Sequence, residues 1–270
     1  MTNDDLPNDE GNQLDNPLRW LALVMLEEPE LPAFDEVAQF VGQNFEDAPT
    51  MTVAGSTENM FTCTVGEYTA AATLVPRSVP WSQLEGPCAT AWYWPAAAEA
   101  LREHTAHVLV TLIDEGGKSV DKSVILTQLV SGLVGTSRAL GVFWGPGRLV
   151  HPAQPFIDQA VQSTAADLPL FLWVDFRVER TDAGSTRLYT TGLTSLDATE
   201  LEVADYPGPP QQLLEYAYNI AHYQLCQNKT INDGDTIGLT EEVQVVAHRG
   251  GSMFDEKMEV IQLEFQTHGG

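Results

Sequence analysis

The side chains best suited to chemistry in this 270-residue sequence are Cys88 and two histidines spaced three apart, His104 and His107. A thiolate is a nucleophile and a neutral imidazole a base, so Cys88 with either histidine makes a candidate nucleophile and base pair. That chemistry needs Cys88 near a helix N-terminus, where the helix dipole lowers a thiol pKa. The same two histidines are candidate metal ligands. They straddle an expected helix-to-strand junction, no third ligand stands at a known spacing and no H-E-x-x-H is present, so no metal is expected. His222 and Cys226 lie four apart on an expected helix, on one stripe with Glu215 and Tyr218, and read as the edge of a core.

A second group of residues suits binding rather than catalysis. Trp92, Tyr93 and Trp94 cluster before Pro95, and Trp144 ends an expected strand. Glu200 and Glu202 alternate on a short strand, so both carboxylates point to one face. The expected binding surface is therefore Trp94, Trp144, Glu200 and Glu202, competing with a plainer reading of core aromatics and a charged edge strand. Other motifs are incomplete. Gly135-Thr-Ser137-Arg-Ala139 approaches a nucleophile elbow but runs helix to strand, the reverse of what an elbow needs. Gly145-Pro-Gly147 is a turn rather than a phosphate cradle, because Pro146 lacks an N–H. Asp233-Gly234-Asp235 lacks the spacing and final Glu of a calcium loop. No cofactor motif is present.

The elements that must position these residues follow from periodicity. Leu18–Leu26 is almost wholly apolar and reads as a strand buried on both faces. Phe34, Val37, Ala38, Val41 and Phe45 fall at helical spacing. Strands follow near Met51–Ala54, Asn59–Val65 and Tyr68–Val75, then a helix from Ala96 and a buried strand from His107. The helix Val120–Arg138 carries small residues, Ser131, Gly132 and Gly135, that admit a close neighbour. Gly141–Trp144 is a short strand, and His151-Pro-Ala-Gln-Pro starts the helix Phe156–Gln162. Leu170, Leu172, Val174, Phe176 and Val178 alternate as a strand, with Asp175, Arg177 and Glu179 opposite. A helix Leu213–Cys226 and strands Thr236–His248 and Met258–Phe265 end the chain. The expected fold is α+β: two β-α-β-β-α-β-like halves, ferredoxin-like or a related α/β sandwich, packed as one compact body. Residues 1–17 are an expected disordered acidic tail. Residues 18–268 form one domain, with halves at about 18–115 and 139–268 joined by the helix 119–138.

Composition narrows the partners. The chain has 38 acids against 13 bases, a formal charge of −25. Its lysines are Lys118, Lys122, Lys229 and Lys257. Such a balance repels nucleic acid and anionic membranes and suits a basic protein partner or a small ligand. The three cysteines include no C-x-x-C and fit a reducing, cytoplasmic setting. The acidic N-terminus has the wrong sign for a signal peptide. Asn228-Lys-Thr230 then carries no glycan.

Three segments together resemble a known family: Ala91-Trp-Tyr-Trp94-Pro95 with His104-x-x-His107, Thr191-Gly192-Leu with Glu200-Leu-Glu202, and Asn232-Asp-Gly234-Asp-Thr236-Ile-Gly238. The combination is similar to the bacterial family called domain of unknown function 4261, across Leu18 to Phe265. The resemblance implies a single full-length domain in a bacterial cytoplasm and supplies no catalytic residues. The reading that results is a non-catalytic binding or interaction protein, such as an immunity or accessory protein. Its rivals are an enzyme using Cys88 or the histidines and an oligomerising structural subunit. Nothing in the sequence fixes the oligomeric state.

Overall fold

The computed structural model describes residues 20–113, 116–164, 166–227, 229–241 and 243–267. The expected tail 1–17 and Asn228 of the sequon lie outside them. Both helices and sheets are present, so the α+β class stands.

Strand β1 (Leu21–Leu26) has no polar residue and therefore needs cover on both faces and a neighbour on both edges. It lies between β5 (Ala106–Leu112) and β6 (Ala139–Trp144), antiparallel to each. The first sheet extends outward from this pair. Its order is β2-β3-β4-β5-β1-β6-β7, with β2 at Met51–Thr57, β3 at Met60–Val65, β4 at Tyr68–Val75 and β7 at Leu149–Pro152. Ala22, Val24 and Leu26 face a layer of α1 (Phe34–Asn44) and α4 (Ser119–Gly135). Leu23 and Met25 face α2 (Trp81–Thr90) and α3 (Ala97–Arg102) on the other side.

Helix α4 is the hub of the molecule, buried along most of its length. A Cβ on Gly132 would sit 2.8 Å from Val37 and 2.9 Å from Val41, so its missing side chain sets how closely α1 and α4 pack. Helix α5 (Ala153–Gln162) lies against α4 and the one-turn helix α6 (Leu170–Trp173).

The second sheet has the order β11-β12-β13-β10-β9-β8. Its strands are β8 (Asp175–Arg180), β9 (Thr186–Thr191), β10 (Leu201–Tyr206), β11 (Thr236–Gly238), β12 (Val243–Gly251) and β13 (Glu259–Thr267). Helix α7 (Pro210–Cys226) covers one face through Leu213, Ala217, Ile220 and Ala221. One apolar core runs without a break from Val24 to Leu263, joining both sheets.

Three expectations need correction. β6, placed in the second half by element order, hydrogen-bonds into the first sheet, because β1 needs a partner on its second edge, and β7, a strand that the sequence reading did not include, extends that edge. The two sheets also differ in strand order, so they do not repeat one ferredoxin-like plan. The alternating run from Leu170 is a helical turn that becomes a strand only at Asp175. Trp173, which the alternation placed outside, is buried with Leu170, Leu172 and Val174. With Leu170, Leu172, Trp173 and Val174 all inside, a period of two does not tell strand from helix here.

Candidate ligand pocket

The structure scatters the residues that sequence spacing grouped. Cys88 is buried in the last turn of α2, not at a helix N-terminus, and packs with Leu84, Ala97 and Leu101. Burial raises its thiol pKa, and Arg102 opposes that only in part. The thiol form therefore dominates at neutral pH. His104 is a staple: its Nδ1–H donates to the Leu101 carbonyl and its Nε2 accepts from Val79 N at 2.7 Å. His107 is half-buried, with Nδ1 2.9 Å from the Arg77 carbonyl. Desolvation lowers its pKa. Among the described residues no hydrogen bond joins Cys88 to either histidine, and no group of three or more His, Cys, Asp or Glu is placed to hold a metal.

The expected binding surface does not form either. Trp94 is half-buried on the α2/α3 face of the first sheet, while Trp144 is fully buried on the opposite face, stacked 6.5 Å from Trp173. Glu200 and Glu202 are 1% and 3% exposed. Glu200 accepts from Thr190 Oγ1, from Thr194 Oγ1 and from the N–H groups of Gly192 and Thr194. Glu202 accepts from Ser252 Oγ and Met253 N. These carboxylates hold turns together and present nothing to a partner. His222 and Cys226 do meet, Nε2 to Sγ at 3.3 Å, on the exposed side of α7.

The polar groups that remain open converge elsewhere, where the edge strand of one sheet meets the edge strand of the other. β7 contributes His151, the segment after α2 contributes Trp92 and Tyr93, and α5 contributes Phe156 and Gln159. Phe171 of α6 and Asp175 of β8 complete a cavity of about 430 Å³. That volume is the size of a small metabolite site. Three of its lining residues, Trp92, Tyr93 and Phe171, are among the large apolar side chains left exposed, and Trp92 is 57% exposed. The turn between β6 and β7 can approach α6 because Gly147 has no side chain: a Cβ there would lie 2.3 Å from the Trp173 carbonyl oxygen.

His151 is the fixed point. It is 3% exposed, stacked on Tyr93 at 5.6 Å and tilted against Phe156 at 5.8 Å. Its Nε2 lies 3.2 Å from the Leu172 carbonyl, which can only accept, so Nε2 carries the hydrogen. Desolvation pushes its pKa down to about 4, so the ring is neutral near pH 7 and Nδ1 is an acceptor. Nδ1 has no partner, yet it is not among the polar atoms sealed from solvent. Its accessible surface therefore opens into the cavity that the ring lines.

Asp175 lines the same cavity. Its Oδ2 pairs with Arg177, and its Oδ1 is buried without a partner. Tyr93 donates to the Val150 carbonyl at 3.0 Å. Burial, then the Asp175 charge, raise its phenol pKa, so it stays protonated. The pocket is thus walled by rings, and the acceptor it offers to whatever enters it is His151 Nδ1.

Sequence spacing missed His151 because the segment around it signals a helix start at Pro152 and Pro155. The available signals were a single imidazole inside a buried strand and the Trp92-Tyr93 pair. Asp175 was visible only as the polar side of an expected strand.

A wider hollow of about 690 Å³ sits at the N-terminal end of α4, with Lys118 and Lys229 on its wall. There the Ser119 hydroxyl bonds Asp197, so an acid of the chain already occupies the helix end that an anion would need. Among the described residues no helix is long and apolar enough to cross a membrane.

Residues 189–264 match the family described as Domain of unknown function (DUF4261). The resemblance read from the sequence therefore holds over β9 to β13, and the Ala91 to His107 block lies outside the match. No curated protein and no solved structure matches the chain.

Proposed function

We propose that this chain is a small-ligand-binding protein whose site is the aromatic pocket between β7 and β8. The ligand is a planar, mostly apolar molecule that carries an N–H or O–H donor. One observation carries the reading: His151 is almost wholly buried, yet its Nδ1 acceptor has no partner and faces a ring-lined cavity. A ligand N–H or O–H that meets this acceptor adds a hydrogen bond of about 0.5–1.5 kcal/mol. The rings of Tyr93, Phe156 and Phe171 offer flat apolar walls, which favour a flat ligand. Among the described residues nothing within hydrogen-bond reach of Nδ1 is a nucleophile or a proton donor, which favours binding over catalysis. Three free cysteines, two of them buried, support a reducing compartment.

Indole and 1-methylindole test this directly, since they share a shape and differ in the N–H. Calorimetry should show indole binding about tenfold more tightly, as one hydrogen bond implies. The His151→Phe variant should abolish the difference. Equal affinities in the wild-type protein would end the reading.

A further inference from the structure

We propose that the outer face of the first sheet, over β2, β3, β4 and β5, is the surface through which two copies of this chain pair. One face of these strands meets α1 and α4 through Phe61, Cys63, Ala70, Ala72 and Leu74. On the other face α2 and α3 cover β1, β6 and β7. The cluster they bury takes in Leu109 of β5 but, among the described residues, none of β2, β3 or β4. The residues of the uncovered surface follow from the register, because directly opposite residues of antiparallel strands share a face. One row is Thr52, Thr64 and Thr69. The next is Gly55, Thr62, Ala71 and Thr111, and the third is Thr57, Met60, Thr73 and Leu109. Ile113, whose N–H bonds the Thr69 carbonyl, extends them and is 56% exposed.

None of these residues is charged, in a chain with 38 acids. The outer face of the second sheet shows the contrast: there Arg177, Glu179, Arg187 and Glu264 back the core residues Phe176, Leu188 and Leu263. A sheet face that this protein keeps in water is charged, and the face over β2 to β5 is not. The acids nearest to it in sequence are turned away. Glu58 and Glu67, in the turns on either side of β3, border hollows on the α1 side. Charge also selects the occupant. Two copies at −25 each repel wherever their acids face, and here they can meet without facing any. A basic partner finds no acid on this face, and an acidic one no base. Threonine suits a copy of itself, since each hydroxyl both donates and accepts and each methyl is apolar. A row of threonines is thus complementary to the same row turned by a two-fold axis. Four strands about 4.8 Å apart and three rows about 6.8 Å apart give a flat footprint of about 400 Å² on each copy. A standard stable interface takes about 800 Å² from each partner, so the pair is a weak dimer in equilibrium with monomer.

Sedimentation equilibrium of the full chain, up to about 1 mM, should show monomer and dimer together. Raising salt from about 0.05 M to about 0.5 M should strengthen the dimer several fold, because it screens the repulsion between copies and weakens no attractive ion pair. Thr62→Glu and Thr73→Lys, made separately, should each weaken the dimer about tenfold or more, since each buries a charge without a partner. Thr73→Lys lowers the net charge, so a loss of pairing in that variant comes from the face and not from general repulsion. Both positions are partly exposed, and circular dichroism checks that each variant folds. Gln266→Glu adds an acid at an exposed position on the outer face of the second sheet and should leave the dimer unchanged. A wild-type chain that stays monomeric at the highest concentration, a dimer that weakens with salt, or a dimer indifferent to either folded face variant would overturn the proposal.

Discussion

The corner between β9 and β10 and the pocket between β7 and β8 both bury polar side chains, and they differ in what those side chains find. At the corner, Glu200 accepts four hydrogen bonds from residues close to it in sequence, including Gly192 N at 2.8 Å. Gly192 itself has φ +121°, a conformation open to glycine, so the turn and its acceptor are made for each other. In the pocket, His151 uses one nitrogen and Asp175 one oxygen, and the other acceptor of each is left over. A fully used buried group specifies a fold. A half-used one beside a cavity specifies a ligand. The family match covers the corner and includes neither His151 nor Asp175.

The comparison breaks most visibly at the corner. Glu200→Ala strips the acceptor from four donors at once, and buried donors left without acceptors should cost about 4 kcal/mol in total. Urea unfolding measures it. A loss below about 1 kcal/mol would place Glu200 among the half-used groups and erase the contrast.

The next effect is a pH dependence that belongs to the pocket. His151 has a folded-state pKa of about 4 against an ordinary value of 6.5, because burial disfavours the charged ring. Between those values the unfolded chain binds the extra proton. The stabilisation is therefore complete above about pH 6.5 and shrinks as pH falls through the window towards 4. Between about pH 7 and pH 4.5 the wild-type protein should lose about 2 kcal/mol more than His151→Phe, which has no proton to gain. Equal losses in the two proteins would show that the ring is solvated, and with it the cavity-facing acceptor.

The same contrast explains how much the sequence could disclose. Elements with one clear period, α1, α4, α5 and α7, lie close to where apolar spacing puts them, because each buries one stripe or is buried all round. The pairing of β6 with β1 was hidden, since element order says nothing about which edge of a two-faced strand is free. The site was hidden for a related reason. Spacing along the chain shows that Glu200 and Glu202 share a strand, but whether an acceptor is used depends on donors folded against it. His151 needs Leu172 from a helical turn that reads as strand, so its partner was misplaced along with the element.

A smaller effect sharpens the pocket side. His151→Phe keeps a ring between Tyr93 and Phe156, so the fold should hold while indole affinity falls about tenfold for one lost hydrogen bond. Trp92→Ala removes a ring that is largely in solvent, so it should change stability by less than about 0.5 kcal/mol. Calorimetry should show indole binding this variant a few fold more weakly. Loss of stability in Trp92→Ala would make the rim part of the core.

The smallest expected change in affinity is at Cys88, and it is the most discriminating because the thiol lies close enough to Tyr93 to bear on the phenol. If the pocket were a reaction centre that draws on the nearby thiol, Cys88→Ala should act like His151→Phe. The packing says otherwise. Cys88 sits with Leu84, Ala97 and Leu101, and burial keeps it protonated. Its removal should cost about 1 kcal/mol of stability, as a small buried hydrophobe does, and leave indole affinity within about twofold. A tenfold loss of affinity in Cys88→Ala, with the fold intact by circular dichroism, would mean that the thiol reaches the ligand, and the pocket would have to be redrawn around it.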